Sequence, residues 1–229
     1  MTITSFGFYA LIFIWVILYY SIPKSLQWVE LLILSIIFYC KGATPYTLVY
    51  PVISTITAWS VTNGLERCRN NISTAEPSTL WRILVISVVI LNILLWFALK
   101  GRCFFPYGQK LLGMIFPGIK SAQILELAAA LGMGYYTLQT IGYIMDCYWE
   151  TAKPQKSILK LFLFISFFPQ LVAGPIERSK NLLRQLGSPK SFSYENLRKG
   201  LLLMLWGYFL KMVIADRAAI IVDTVYGNS

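Results

Sequence analysis

Three observations predict an all-α fold: a polytopic bundle of transmembrane helices with broken or re-entrant segments, about six to seven membrane segments in all. Of 229 residues, 57% are hydrophobic and 13% are charged, whereas soluble globular chains carry about 25% charged residues. The apolar residues gather into runs such as 5–22, 83–99 and 121–145, close to the length that spans a bilayer as helix. One further run, SILKLFLFISFFPQLVAGPIER from Ser157 to Arg178, is interrupted twice, at Pro169 and at Gly174-Pro175. Proline lacks a backbone N–H and disfavours helix at the residue before it. Broken backbone at membrane depth is tolerated only where protein buries it or where it lines a watery cavity.

Taken in order, residues 5–22 exceed a signal-peptide core and carry neither a basic leader nor an A-x-A site, so they read as a first helix ending at Pro23-Lys24. Trp28 to Cys40 is a shorter second run, closed by Lys41-Gly42. Thr44 to Thr62 holds Pro45 and Pro51 and reads as a kinked or re-entrant span. Residues 63–82 form the first polar loop. Ile83 to Leu99 is a span interrupted by Asn92, which is expected to bond a neighbouring helix. Residues 100–123, with Lys100, Arg102, Lys110 and Lys120, suit a segment lying on the membrane surface.

Ser121 to Met145 is apolar again and rich in small residues, among them Gly132, Gly134 and Gly142. Tyr135, Gln139, Tyr143 and Asp146 follow at helical spacing, so hydroxyls, an amide and a carboxylate share one expected stripe. Polar groups on a membrane helix point into the bundle or a cavity, where they bind a substrate or simply bond other helices. A long loop, 174–199, precedes the last span, 200–215, and Ser193-Tyr194-Glu195-Asn196 marks a helix start ahead of it. Asp216 and Arg217 are adjacent, so their partners lie elsewhere.

The net charge of +10 comes from 20 basic and 10 acidic residues. The basic residues sit between the apolar runs, which the positive-inside rule explains without nucleic acid. Loop 100–123 has four basic residues and no acid; loop 174–199 has six basic and two acidic, so each carries +4. If both intervening segments span, these loops share one side, the cytoplasm. Cys40, Cys68, Cys103 and Cys147 are scattered, with no CxxC and no histidine in the chain. That excludes a zinc motif or disulfide framework and predicts no metal.

Three blocks in order resemble the membrane-bound O-acyltransferase family, in its alginate O-acetyltransferase-like branch. They are LGMGYYTLQTIGYIMDCYWE (131–150), SFFPQLVAGPIER (166–178) and KMVIADRAAIIVDTVYGN (211–228). The resemblance implies a membrane-embedded helical domain around a tunnel, in the cell membrane. An acyl group passes there from a thioester donor, acetyl-CoA or an acyl carrier, to a hydroxyl of an exported polysaccharide. It further implies a separate extracytoplasmic acetyltransferase as partner, no bound cofactor, and an essential histidine.

No histidine is present, so no catalytic residue is assigned. The expectation is that residues 1–229 are the N-terminal part of one O-acyltransferase domain, its C-terminal half missing, and inactive alone. Within it, Pro169, Gln170, Gly174 and Pro175 are candidates for shaping the broken segment. Glu177 and Arg178 are expected at its mouth, where a cation meets an anionic donor; Tyr135, Gln139, Tyr143 and Asp146 are expected to line the facing helix. Asp216 and Arg217 are structural candidates. A transporter or flippase-like protein is the alternative, since broken helices around a polar cavity also pass substrates.

Overall fold

Helix forms wherever the sequence is continuously apolar, and the breaks between helices decide how the bundle is strung. The computed structural model describes residues 6–42, 48–71, 79–100, 133–174 and 176–226. Five helices come first: α1 (Phe6–Ser21), α2 (Gln27–Gly42), α3 (Val49–Asn71), α4 (Thr79–Lys100) and α5 (Met133–Tyr148). They are followed by α6 (Ile158–Ile165), α7 (Phe168–Ala173) and α8 (Ser179–Gly187). Among the described residues there is no strand. The surface-segment expectation for 100–123 falls almost wholly outside the described residues.

Two expectations are corrected here. Pro51 does not kink α3, because it lies in the first turn, where a missing N–H costs no intrahelical bond. The polar stretch 63–82 is mostly helix rather than loop, since α3 runs to Asn71 and α4 starts at Thr79. Gly64 allows the two helices to close: a Cβ there would stand 2.5 Å from Cη2 of Trp81.

The chain divides into two units, residues 1–189 and 190–229. In the first, α3 and α5 run in parallel. Tyr50 bonds Thr137 at one end (2.8 Å), and Arg69 donates to the Tyr148 carbonyl at the other (2.7 Å). α4 runs against α3, with Trp81 at Gly64 and Asn92 at Tyr50 and Ser54. Asn92 thus joins helices as its sequence position predicts. Buried polar residues such as Ser54, Thr62, Asn92, Thr137 and Thr140 occupy the interior, while Ile83, Ile86, Ile90, Leu94 and Phe97 of α4 face outward. Thr79–Phe97, with a mean hydropathy of 2.3, is long and apolar enough to cross a membrane; Ile12–Ser21, Gln27–Cys40 and Ile158–Gln170 are apolar but shorter.

α6 and α7 form a hairpin that leaves the bundle at the end where it enters. The eight residues of α6 extend about 12 Å, far short of the ~30 Å hydrocarbon layer. After α7 the chain returns to the C-terminal end of α5, where Ser179 Oγ donates to Asp146 Oδ2 at 2.8 Å. The condition that 158–173 crosses therefore fails, and 176–187 lies at the same end as loop 149–157. Loop 174–199 also contains a helix, α8, whose Leu182, Leu183 and Leu186 pack on the core. Lys180 and Arg184 of α8 are exposed.

The second unit is a continuous helical run. Ser193 caps α9 (Tyr194–Phe209) by accepting from the Asn196 N–H, as its sequence position predicts. A π-helical stretch, Leu210–Ala215, leads into α10 (Asp216–Tyr226). The π spacing, i to i+5, suits the 3.8 Å pair of Lys211 Nζ with Asp216 Oδ1.

Candidate functional site

The interrupted segment is held by side chains that take up the backbone groups freed by the break. α6 ends at Ile165, and its cap N–H at Ser166 returns to the Phe162 carbonyl at 2.8 Å. In an unbroken helix the Phe168 N–H would reach the Phe164 carbonyl. Here Phe168 N–H points to Ser35 Oγ of α2 (3.4 Å), and the Phe164 carbonyl accepts from Gln139 Nε2 of α5 (3.3 Å). Pro169 falls in the first turn of α7, where proline is favoured, so it starts the second helix more than it ends the first. The Gly174 N–H closes α7 on the Gln170 carbonyl at 2.9 Å. A Cβ on Gly174 would stand 2.7 Å from Gln170 Cα, so the tight exit requires glycine for space. Pro175 lies outside the described residues.

Gln139 and Gln170 form a reciprocal amide pair. Gln139 Nε2 donates to Gln170 Oε1 at 3.0 Å, and Gln170 Nε2 donates to Gln139 Oε1 at 2.7 Å. Both residues are buried. The pair joins α5 to α7 and fixes the angle at which the hairpin turns back.

At the charged end, Asp146 organises the exit. Its carboxylate is 5% exposed as a residue, and besides Ser179 it meets Arg178 Nη1 at 3.3 Å and Thr151 Oγ1 at 3.4 Å. A carboxylate at a helix C-terminus opposes the helix dipole, whereas one at an N-terminus complements it. Asp146 ends α5 but also abuts the start of α8, whose own N-cap, Arg178, supplies no capping bond. Arg178 stays largely exposed while paired, and Glu177 is exposed beside it. Arg69 answers the carbonyls at the end of α5, bonding Cys147 and Tyr148, and lies 3.2 Å from Glu150. Cys147 lies at this end too and is buried.

The predicted stripe on α5 is placed correctly in three of its four residues. Gln139, Tyr143 and Asp146 face inward, and the Tyr143 hydroxyl accepts from the Gln155 N–H at 2.8 Å. Tyr135 is 39% exposed; its neighbour Tyr136, wholly buried, takes the inward position. A helix turns about 100° per residue, so one residue separates inside from outside. Sequence reasoning also missed Ser35, Tyr39, Thr137 and Thr140, which are buried. Thr140 stands one turn after the inward Tyr136, and Ser35 and Tyr39 stand one turn apart on α2. Asp216 and Arg217, in the second unit, are exposed there, and Asp216 meets Lys211. Among the described residues no group of three or more potential metal ligands occurs.

Over 208 residues, 90% of its length, the chain is 25% identical to the probable alginate O-acetylase AlgI of Pseudomonas putida, of which this covers 41%. This chain is a relative of the MBOAT-like O-acetyltransferases. The Pseudomonas aeruginosa protein named probable alginate O-acetylase AlgI is 26% identical over 208 residues, 90% of this chain and 38% of that protein. A peptidoglycan O-acetyltransferase of Helicobacter pylori is 29% identical over 174 residues, 65% of this chain and 32% of that protein. No family model and no solved structure matches. The chain spans about two fifths of the length of the AlgI relatives it matches. The relation to these O-acetyltransferases reaches well beyond the three motif blocks, into the N-terminal helices.

Proposed function

We propose that this chain is part of a multi-pass, inner-membrane O-acyltransferase domain. Its reaction transfers an acyl group, most simply acetyl, from a thioester donor to a hydroxyl of an exported or cell-surface polysaccharide. In that reaction the hydroxyl oxygen attacks the thioester carbonyl, the carbon–sulfur bond breaks, and the thiol leaves with the proton the hydroxyl gave up. The observation that carries the reading is similarity to O-acetylases along 90% of the chain. The fold supports it: buried amides and hydroxyls share the interior with apolar side chains, while α4 turns aliphatic side chains outward. In lipid that distribution is the stable one, because every buried polar group needs a protein partner.

The hairpin is assigned the wall of the substrate path, with Gln139 and Gln170 fixing its turn. Arg178, Lys180 and Arg184 would present positive charge at its mouth to an anionic donor. None of the 229 residues is histidine, so these residues supply no imidazole base, and we expect no transfer from this stretch alone. An extracytoplasmic acetyltransferase is the proposed onward partner.

The test is to delete the intact gene and restore it, measuring ester-linked acetyl groups on surface polysaccharide. Loss of acetyl with polymer yield unchanged is the expected result. Loss of exported polymer would instead establish a transporter and refute this proposal.

A further inference from the structure

We infer that the phenols of Tyr39 and Tyr136 form a two-donor site for the carbonyl oxygen of the acyl group, an inference that rests on the acyltransferase reading. Tyr39, near the end of α2, and Tyr136, in the first half of α5, are 3% and 0% exposed. Their ring centroids lie 6.4 Å apart. Among the described residues they are the two buried hydroxyls with no hydrogen-bond partner. Their neighbour Tyr50, whose ring lies 5.2 Å from that of Tyr136, shows the contrast. Its hydroxyl bonds both Thr137 Oγ1 and the Asn92 carbonyl, at 2.8 and 3.2 Å. Buried hydroxyls are nearly always bonded, so two adjacent exceptions call for an acceptor.

Place and chemistry both choose the acceptor. Tyr136 lies ten residues before Asp146, hence about 15 Å below the charged end. There the tip of the hairpin meets α2, with Phe168 packed 5.4 Å from Phe38, next to Tyr39. The named surroundings are aromatic and neutral, unsuited to a phosphate or carboxylate, whose desolvation needs a counter-charge. A carbonyl oxygen is neutral and takes two hydrogen bonds. As the acceptor hydroxyl attacks, charge grows on that oxygen and the two donors hold it more strongly. The phenols keep their protons and make or break no covalent bond.

The test is Tyr39→Phe, Tyr136→Phe and the double variant in the full-length protein, read by acetyl-transfer rate in membranes and by thermal midpoint. Phenylalanine keeps each ring and removes only the donor. We expect each single variant to lose roughly 100-fold in kcat, the scale of one oxyanion donor, with the midpoint unchanged or raised. A double variant within two-fold of wild type overturns the assignment. So does a midpoint that falls by several degrees without loss of rate, which would mark the hydroxyls as structurally bonded. If the wild type itself transfers no acetyl group, the acyltransferase reading fails first, and this site falls with it.

Discussion

Replacing Gln139 and Gln170 singly and together tests whether the amide pair holds the hairpin. Gln139 makes three bonds across this junction, two to Gln170 and one to the Phe164 carbonyl. At ~0.6–1 kcal/mol per bond, spanning membrane and soluble measurements, Gln139→Leu costs about 2–3 kcal/mol. Gln170→Leu removes the two shared bonds, which alone cost about 1–2 kcal/mol. In the double variant the shared bonds are lost once, so it costs less than the sum of the two singles. The coupling is then about 1–2 kcal/mol in favour of the double variant. Unfolding in mixed detergent micelles, followed by tryptophan fluorescence, gives all four corners of the cycle. Strict additivity, with the double variant at the sum of the singles, would refute the claim that the two amides bond each other.

Other expectations follow from the same contacts. Gly64→Ala, whose Cβ meets the Trp81 ring at 2.5 Å, costs about 1–3 kcal/mol by overpacking, and Trp81→Leu in the same chain recovers most of it; thermal midpoints decide. Asp146→Ala removes the acceptor of Ser179 Oγ and costs about 1–2 kcal/mol as a lost buried bond. It also speeds proteolysis at 176–178, whereas Asp146→Asn keeps an acceptor oxygen and loses less than half as much. Cys147 is 2% exposed, so a thiol reagent reaches it only when the fold opens. Maleimide therefore labels the half-buried Cys68 well before Cys147, whose labelling appears only on unfolding. Mass spectrometry of labelled peptides reads the order.

The helices were legible wherever one physical signal dominated. Residues 5–22, 28–40 and 83–99 are apolar without competition, and each became a helix with ends shifted by a few residues. Ser193 gave a helix start because a capping hydroxyl acts over three residues. A break in this run was expected from proline chemistry, but it falls at Ser166-Phe167, ahead of the helical Phe168 that precedes Pro169. Two kinds of information were not local. Whether α6–α7 crosses or returns depends on partners contributed by Ser35, Gln139 and Asp146, which stand 25 to 133 residues from the groups they bond. The inward stripe of α5 was misphased at its first member because Tyr135 and Tyr136 are chemically identical. Only packing against Tyr50 and Tyr39 distinguishes them. The polar run 63–71 reads as loop by composition, yet its Arg69 finds the end of α5 and its Gly64 admits Trp81.

The returning hairpin also changes how segments of this chain are to be counted. A hydropathy profile scores Ile158–Gln170 as one more apolar rod and so flips the assigned side of everything after it. A segment that turns back adds two half-passages, which cancel. Reporter fusions after Lys153 and after Ser188 would therefore give the same sign, where a profile expects opposite signs. Basic residues in 149–157 and 176–187 then belong to a single tally, and together they weight one side of the bundle.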